Sequence, residues 1–189
     1  MLMDYQNPTF HVAKRDGLPR AIRQTLLEEA QTEWQKHPRY AGKARFFMNI
    51  HRQLIDGSLQ LSSTLERVLD MNLTDAKTLI QQSQLVNHGR HLIQFAHGHH
   101  EIEDHGYFPQ FERLYPGMDR AFRLLDGDHK ILDEALENTK KSLDALVQHG
   151  ISTDSTAKLY NHAHQLKKIM IRHIADEEEI IIPIFLRHG

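Results

Sequence analysis

The chain has 189 residues, which is enough for one domain with a sizeable hydrophobic core. Its 23 Lys and Arg against 25 Asp and Glu leave a net charge of −2, which provides no attraction to nucleic acid or to an anionic membrane. There is no cysteine, so disulfides, iron–sulfur clusters and thiolate zinc sites are excluded.

The first 42 residues are predicted to form an extension that precedes the main domain. Residues 1–17 lack the continuous apolar stretch of a secretory signal, and no run approaches the roughly 20 apolar residues that span a bilayer, so a cytoplasmic protein is expected. Apolar residues recur with helical spacing over residues 19–34, and the sequence HPRYAG then breaks the pattern. We therefore expect one short helix here, packed on a domain formed by residues 43–189.

That domain is predicted to be helical. Its apolar residues alternate spacings of three and four, which is typical of packed helices, and strand signals are nearly absent. Long helices are predicted at about 43–71, 74–115 and 119–148, and a fourth begins at about 153 and carries its apolar seam to Ile184. Pro109 and Pro183 are expected to kink or end their helices. Four long helices with short connections predict an all-α fold, an antiparallel up-and-down four-helix bundle.

Two segments of this domain carry the same polar pattern. They are HHEIEDHGYFP at 99–109 and HIADEEEIIIP at 173–183, and in each a His-x-x-x-Glu spacing is followed by a proline ten positions after the histidine. Residues four apart share one face of a helix, so each segment points an imidazole and a carboxylate in the same direction. Two such segments facing each other would supply most of a dinuclear metal site.

The predicted helix seams are apolar except at a few positions. His51 interrupts the first seam and His129 the third, while the second and fourth each carry one of the His–Glu pairs. Buried carboxylates need a positive partner, and these seams contain no Lys or Arg, so a metal centre satisfies the set where a salt bridge cannot. Nitrogen and oxygen ligands suit iron or manganese and can suit zinc. A single His-x-x-x-Glu is common and is weak evidence alone; the coincidence of two pairs with two single histidines favours the metal site.

His100 and Asp104 have the same four-residue spacing, but they lie about 100° from the seam. We interpret them, together with Glu178, as hydrogen-bond partners of the ligands or as surface residues. Glu101, Asp176 and Glu179 are interpreted as solvated or structural.

At these residues the chain resembles the hemerythrin-like HHE cation-binding domain family. The matching elements are His51, HHEIEDHGYFP, the DHKIL around His129, and HIADEEEIIIP, in that order along the chain. The resemblance implies a four-helix bundle with a non-haem di-iron centre, whose two irons are bridged by the two glutamates and by an oxo or hydroxo group. The ligands that it implies are His51, His99, Glu103, His129, His173 and Glu177.

The chain departs from the oxygen-carrying members of that family at two points. Those members have a further histidine four residues after the one on the third helix, where this chain has Asp133. They also use a His-to-Asp spacing of five on the last helix, whereas His173 and Glu177 are four apart.

The leading hypothesis is a protein that binds or senses dioxygen, nitric oxide or peroxide at two iron ions. The alternatives are a di-iron oxidase or peroxidase, iron handling or storage, and a metal-free interaction module; zinc or manganese could replace iron. No catalytic residue is assigned. A small diatomic ligand or peroxide is the expected partner, with no nucleic acid and no membrane, and a protein partner is left open.

Overall fold

The structure, a computed structural model, describes residues 4–188 and is all-helical, with 81% helix and no strand in that range. This confirms the all-α part of the predicted fold class; the antiparallel four-helix topology stays a prediction. Within the described range there are seven α-helices: α1 (Arg20–Arg23), α2 (Arg45–Leu69), α3 (Leu73–Gln82), α4 (Leu85–Ile102), α5 (Phe108–Leu114), α6 (Asp119–His149) and α7 (Thr153–His188).

Three of the four predicted long helices are present as α2, α6 and α7. The predicted helix over 74–115 is wrong as a single element, because α3, α4 and α5 share that stretch. Asn72 caps α3 by accepting hydrogen bonds from the backbone N–H groups of Thr74 and Asp75, both at 3.1 Å. Gln84 adopts a positive φ of 49° between α3 and α4, a conformation that a helix cannot continue through.

The end of α4 widens into a π-helical turn, Glu103–Tyr107, which leads directly into α5. Pro109 lies in the first turn of α5, directly after this π-helical turn. A π-helical turn shifts the helix register and is frequent at functional sites. In contrast, α7 continues through Pro183 to His188, so that proline does not end its helix as one of our expectations had it.

The predicted helix over residues 19–34 is also wrong in extent. Only α1, of four residues, and a 3₁₀ segment, Gln31–Lys36, form there. Ile22 and Trp34 are nevertheless buried, so these short elements contribute to the hydrophobic core. The predicted division into an extension (1–42) and a bundle domain (43–189) stays a prediction.

The chain forms two compact units, and α2, α4, α6 and α7 each contribute residues to both. Unit one consists of residues 1–53, 100–130 and 171–189, and the described part of it leaves out residues 1–3 and 189. Its core is rich in aromatic and branched side chains, and burying each of them fully contributes about 1.5–3 kcal/mol. The largest contributors to this core are Trp34, Phe47, Phe108, Phe111, Phe122, Ile180, Ile184 and Phe185.

Unit two consists of residues 54–99 and 131–170, and its core is aliphatic. Gly89 of α4 faces Leu143 of α6 so closely that a Cβ added to the glycine would lie 2.7 Å from a leucine methyl carbon. The glycine therefore permits a close helix approach there. In the described range, no helix combines the length and apolar character needed to cross a bilayer.

Candidate metal centre

Imidazoles and carboxylates converge inside unit one. His51 comes from α2, Glu103 from the π-helical turn, His129 from α6, and His173 and Glu177 from α7. All five are buried, and the exposed fraction of both glutamates is 0%. The helical spacing of four places His173 and Glu177 on one face of α7, as the sequence predicted. Aromatic rings lie around the group, with Phe47 against His51 and Phe108 stacked on His129.

The functional atoms lie within a few ångströms of one another. Glu177 Oε2 is 3.2 Å from His51 Nε2 and 3.4 Å from His173 Nε2, so one carboxylate oxygen faces two imidazoles. Glu103 Oε2 is 3.6 Å from His129 Nε2. The Nε2 atoms of His129 and His173 are 3.2 Å apart. Nitrogen and oxygen atoms at such separations can hold a cation.

Each of three imidazoles also faces a carboxylate through its other ring nitrogen. Nδ1 of His51 is 3.1 Å from Glu178 Oε1, and Nδ1 of His129 is 2.7 Å from Asp104 Oδ1. Nδ1 of His173 is 3.3 Å from Asp128 Oδ2. This confirms Asp104 and Glu178 as hydrogen-bond partners of the predicted ligands.

These contacts decide which ring nitrogen carries the proton. An ionised carboxylate only accepts hydrogen bonds, so a neutral imidazole places its proton on Nδ1 and presents the Nε2 lone pair. The Nε2 atoms of His129 and His173 would then direct two lone pairs at each other across 3.2 Å, which is favourable only with a cation or a proton between them. Carboxylate–imidazole pairs of this orientation are the usual support of metal-bound histidines.

The titration behaviour of the group follows from burial and from these neighbours. Burial raises the pKa of Glu103 well above its usual range, and the Glu177 carboxylate adds to the rise. Burial also acts to raise the pKa of Glu177, but His173 and His51 outweigh it and hold that pKa well below its usual range. Burial alone would lower the pKa of His173, whereas Glu177 and Asp128 raise it to about 9. Without a metal, protons supply part of the positive charge that the carboxylates need.

Two sets of potential ligand atoms can be separated within unit one. In the first, His51, Glu103 and Glu177 offer atoms that all lie within 4.8 Å of one another. In the second, His100, His129 and His173 do the same. His99, the remaining predicted ligand, is the last residue of unit two; it is buried and lies one helical turn before Glu103 in the chain.

His100 is a functional candidate that the sequence reasoning undervalued. The alternative that it is a surface residue is wrong, because its exposed fraction is 5%. Its ring stacks on that of His129, with centroids 4.3 Å apart and planes 16° apart, and it meets the His173 ring edge-on. Adjacent helical positions are 100° apart, so His99 and His100 can both be buried when the buried stripe of the helix is wide. The doubled histidine in the motif was the available signal.

Asp128 and Arg15 were not predicted at all. Asp128 is fully buried, contacts His173, and is paired with Arg15. Asp176, interpreted above as solvated or structural, is structural: it is fully buried and accepts a hydrogen bond from Arg15 Nε at 2.8 Å. An aspartate beside a predicted ligand histidine could have pointed to Asp128, but nothing in the sequence pattern indicated Arg15.

The geometry agrees with comparison against known proteins. The family model of the Hemerythrin HHE cation binding domain matches residues 43–185. The chain belongs to this family. Membership implies cation binding, and the buried histidine and glutamate groups of unit one are suitable cation ligands. No curated protein and no solved structure gives a significant match.

Proposed function

We propose that this hemerythrin-family chain is a non-haem di-iron protein that binds or senses dioxygen, nitric oxide or peroxide. The observation that carries the proposal is the pair of ligand sets in unit one, each backed by carboxylates that orient the imidazoles. Two irons held by these residues would supply the redox chemistry for binding such small ligands. The finer architecture that goes with it is the antiparallel up-and-down four-helix bundle, which the family match supports.

The proposed ligands are the six predicted residues together with His100. His51, Glu103 and Glu177 would serve one metal, and His100, His129 and His173 the other. Glu177 is suited to bridge them, because its Oε2 atom already lies between His51 of the first set and His173 of the second. Glu103, whose Oε2 faces His129, is the second bridging candidate.

Asp133 does not fill the place of the histidine that oxygen-carrying hemerythrins have at this point. It belongs to unit two, and its carboxylate lies 3.2 Å from His97 Nδ1 with the side chain half exposed. His100, arriving from α4, provides an imidazole beside His129 instead. A third imidazole in the second set leaves fewer open positions on that metal, which favours ligand binding over oxidase or peroxidase turnover.

The carboxylates nearest the ligands are already engaged. Asp104, Asp128 and Glu178 each face an imidazole nitrogen, so they orient ligands and are unsuited as general acids or bases. No residue is therefore given a catalytic role. Iron storage is the weaker alternative, because two ligand sets per chain hold two ions.

The proposal is tested by anaerobic loading with Fe²⁺ followed by exposure to oxygen. Elemental analysis should give two irons per chain, and the optical spectrum should show a charge-transfer band that disappears when oxygen is removed. The variant His173→Ala should lose the bound iron and the charge-transfer band. His88→Ala, which removes an exposed histidine, should keep them. Irreversible bleaching with continued peroxide consumption would favour the enzyme, and many irons per chain would favour storage.

A further inference from the structure

We propose that the N-terminal segment, residues 4–16, completes the outer hydrogen-bond shell of the metal centre, with Arg15 and Tyr5 as positioning residues that act on His173 through Asp128. The inference rests on the proposed function, because it takes His173 to be a metal ligand. The segment precedes the family match at 43–185, so it is a feature of this chain that the family match does not cover.

Arg15 holds the Asp128 carboxylate from one side. Its Nη1 atom is 2.8 Å from Asp128 Oδ1, and its Nη2 atom pairs with Oδ2 of the same carboxylate. Both side chains are almost completely buried, at 2% and 0% exposure. A two-pronged guanidinium contact fixes the plane of a carboxylate, which a single-point contact does not. The orientation of Asp128 Oδ2 toward His173 Nδ1 is therefore set by a residue that precedes the family match.

Tyr5 adds a third hydrogen bond to the same carboxylate. The backbone N–H of Val12 donates to the Tyr5 hydroxyl at 3.3 Å, and the hydroxyl in turn donates to Asp128 Oδ1. The phenol ring lies against Gly127, where an added Cβ would be 2.6 Å from two ring carbons. The absence of a side chain at Gly127 is thus what allows the tyrosine to reach Asp128.

These contacts surround the buried Asp128 carboxylate with hydrogen-bond donors on one side and the His173 imidazole on the other. An oriented Asp128 accepts a hydrogen bond from His173 Nδ1–H, directs Nε2 into the site, and makes the imidazole a stronger ligand. The chain of contacts runs from Tyr5 and Arg15 through Asp128 to His173.

A purely structural role for the segment makes a different prediction. If the contacts only hold the segment in place, their loss should lower thermal stability without changing the electronic environment of a bound metal. The test therefore needs a spectroscopic reading of the His173 imidazole in addition to a stability measurement.

The test uses the full chain loaded with Co²⁺, which is paramagnetic and shifts the N–H proton signals of bound imidazoles. Tyr5→Phe removes one hydroxyl, and Gly127→Ala displaces the tyrosine ring while improving helix propensity. Neither variant is expected to unfold the chain. We expect both variants to shift one exchangeable imidazole N–H signal and to weaken Co²⁺ binding by up to about tenfold. The effect is limited because Tyr5 contacts Asp128 and not a metal ligand itself.

Two matched variants serve as controls. Tyr40→Phe removes a hydroxyl that contacts the Met48 sulfur, and Gly98→Ala adds a methyl where no atom lies within 4 Å. Unchanged signals and affinity in both Tyr5→Phe and Gly127→Ala would overturn the inference while leaving the proposed function standing. Equal changes in the controls would overturn it too. A wild-type chain that binds no Co²⁺ and no Fe²⁺ would end the proposed function and this inference with it.

Discussion

Replacing Glu103 by glutamine should stabilise the metal-stripped protein and weaken its response to metal. Glu103 is fully buried beside Glu177, and burial raises its pKa well above the usual range. When a carboxyl group has a higher pKa in the folded protein than in the unfolded chain, the folded protein becomes less stable as the pH rises above the unfolded-state pKa of about 4.5. At pH 7 the stripped protein therefore carries a penalty that the neutral amide of glutamine, similar in shape, does not.

The expected size follows from burial of a charge beside a like charge. A pKa raised by one unit corresponds to about 1.4 kcal/mol, and the stabilisation by glutamine should be about 1–2 kcal/mol because its amide must also find hydrogen bonds. Metal at a free concentration of a hundred times its dissociation constant stabilises the wild type by about 2.7 kcal/mol. In Glu103→Gln this metal-dependent gain should fall by about 1 kcal/mol or more, since each tenfold loss of affinity removes about 1.4 kcal/mol.

The assay is urea unfolding at pH 7 of wild type and variant, each with chelator and with saturating Fe²⁺ under anaerobic conditions. Glu134→Gln, at an exposed position of α6, is the matched control and should change neither value. A stripped Glu103→Gln protein that is less stable than the wild type, with the stabilisation by iron at the wild-type value, would contradict this prediction. That result would mean that Glu103 is an ordinary structural acceptor.

Three other outcomes are expected. His51→Ala should lower the iron content measured by elemental analysis, whereas the exposed His88→Ala should keep it, and equal iron content in both would contradict the assignment of His51. His100→Ala should reduce the number of imidazole nitrogens per metal seen by X-ray absorption; an unchanged number would make His100 a packing residue. Because the pKa of His173 is raised from 6.5 to about 9, the stripped protein should lose up to about 3 kcal/mol of stability as the pH rises between those values, and the loaded protein should lose less. A flat profile in urea titrations of stripped protein from pH 6 to 9 would contradict this.

Long-range periodicity made the long helices α2, α6 and α7 predictable. The helices predicted at about 43–71 and 119–148 appear as α2 (Arg45–Leu69) and α6 (Asp119–His149), because their apolar seams are long and broken only by single polar positions. The stretch between them failed as one helix because its breaks depend on local conformations. Gln84 takes a positive φ at a position with no glycine. The Glu103–Tyr107 turn contains Gly106 and precedes Pro109, which indicate a weakened helix but not the widening into a π-helical turn.

The predicted ligands followed from the same periodicity, since His173 and Glu177 must share a face of any helix that contains them. Their outer partners divide into two kinds. Asp104 and Glu178 adjoin the ligand positions in sequence and could be nominated. Arg15 is 113 residues from Asp128 and lies in an irregular segment, so only the folded chain brings the two together.

Anomalous diffraction at the iron absorption edge, from crystals of iron-loaded protein, would locate the proposed irons directly. We expect two peaks about 3.5–4 Å apart, with Glu177 between them, one peak beside His51 and the other beside His129 and His173. One peak, no peak, or iron bound only at surface histidines such as His88 would contradict it.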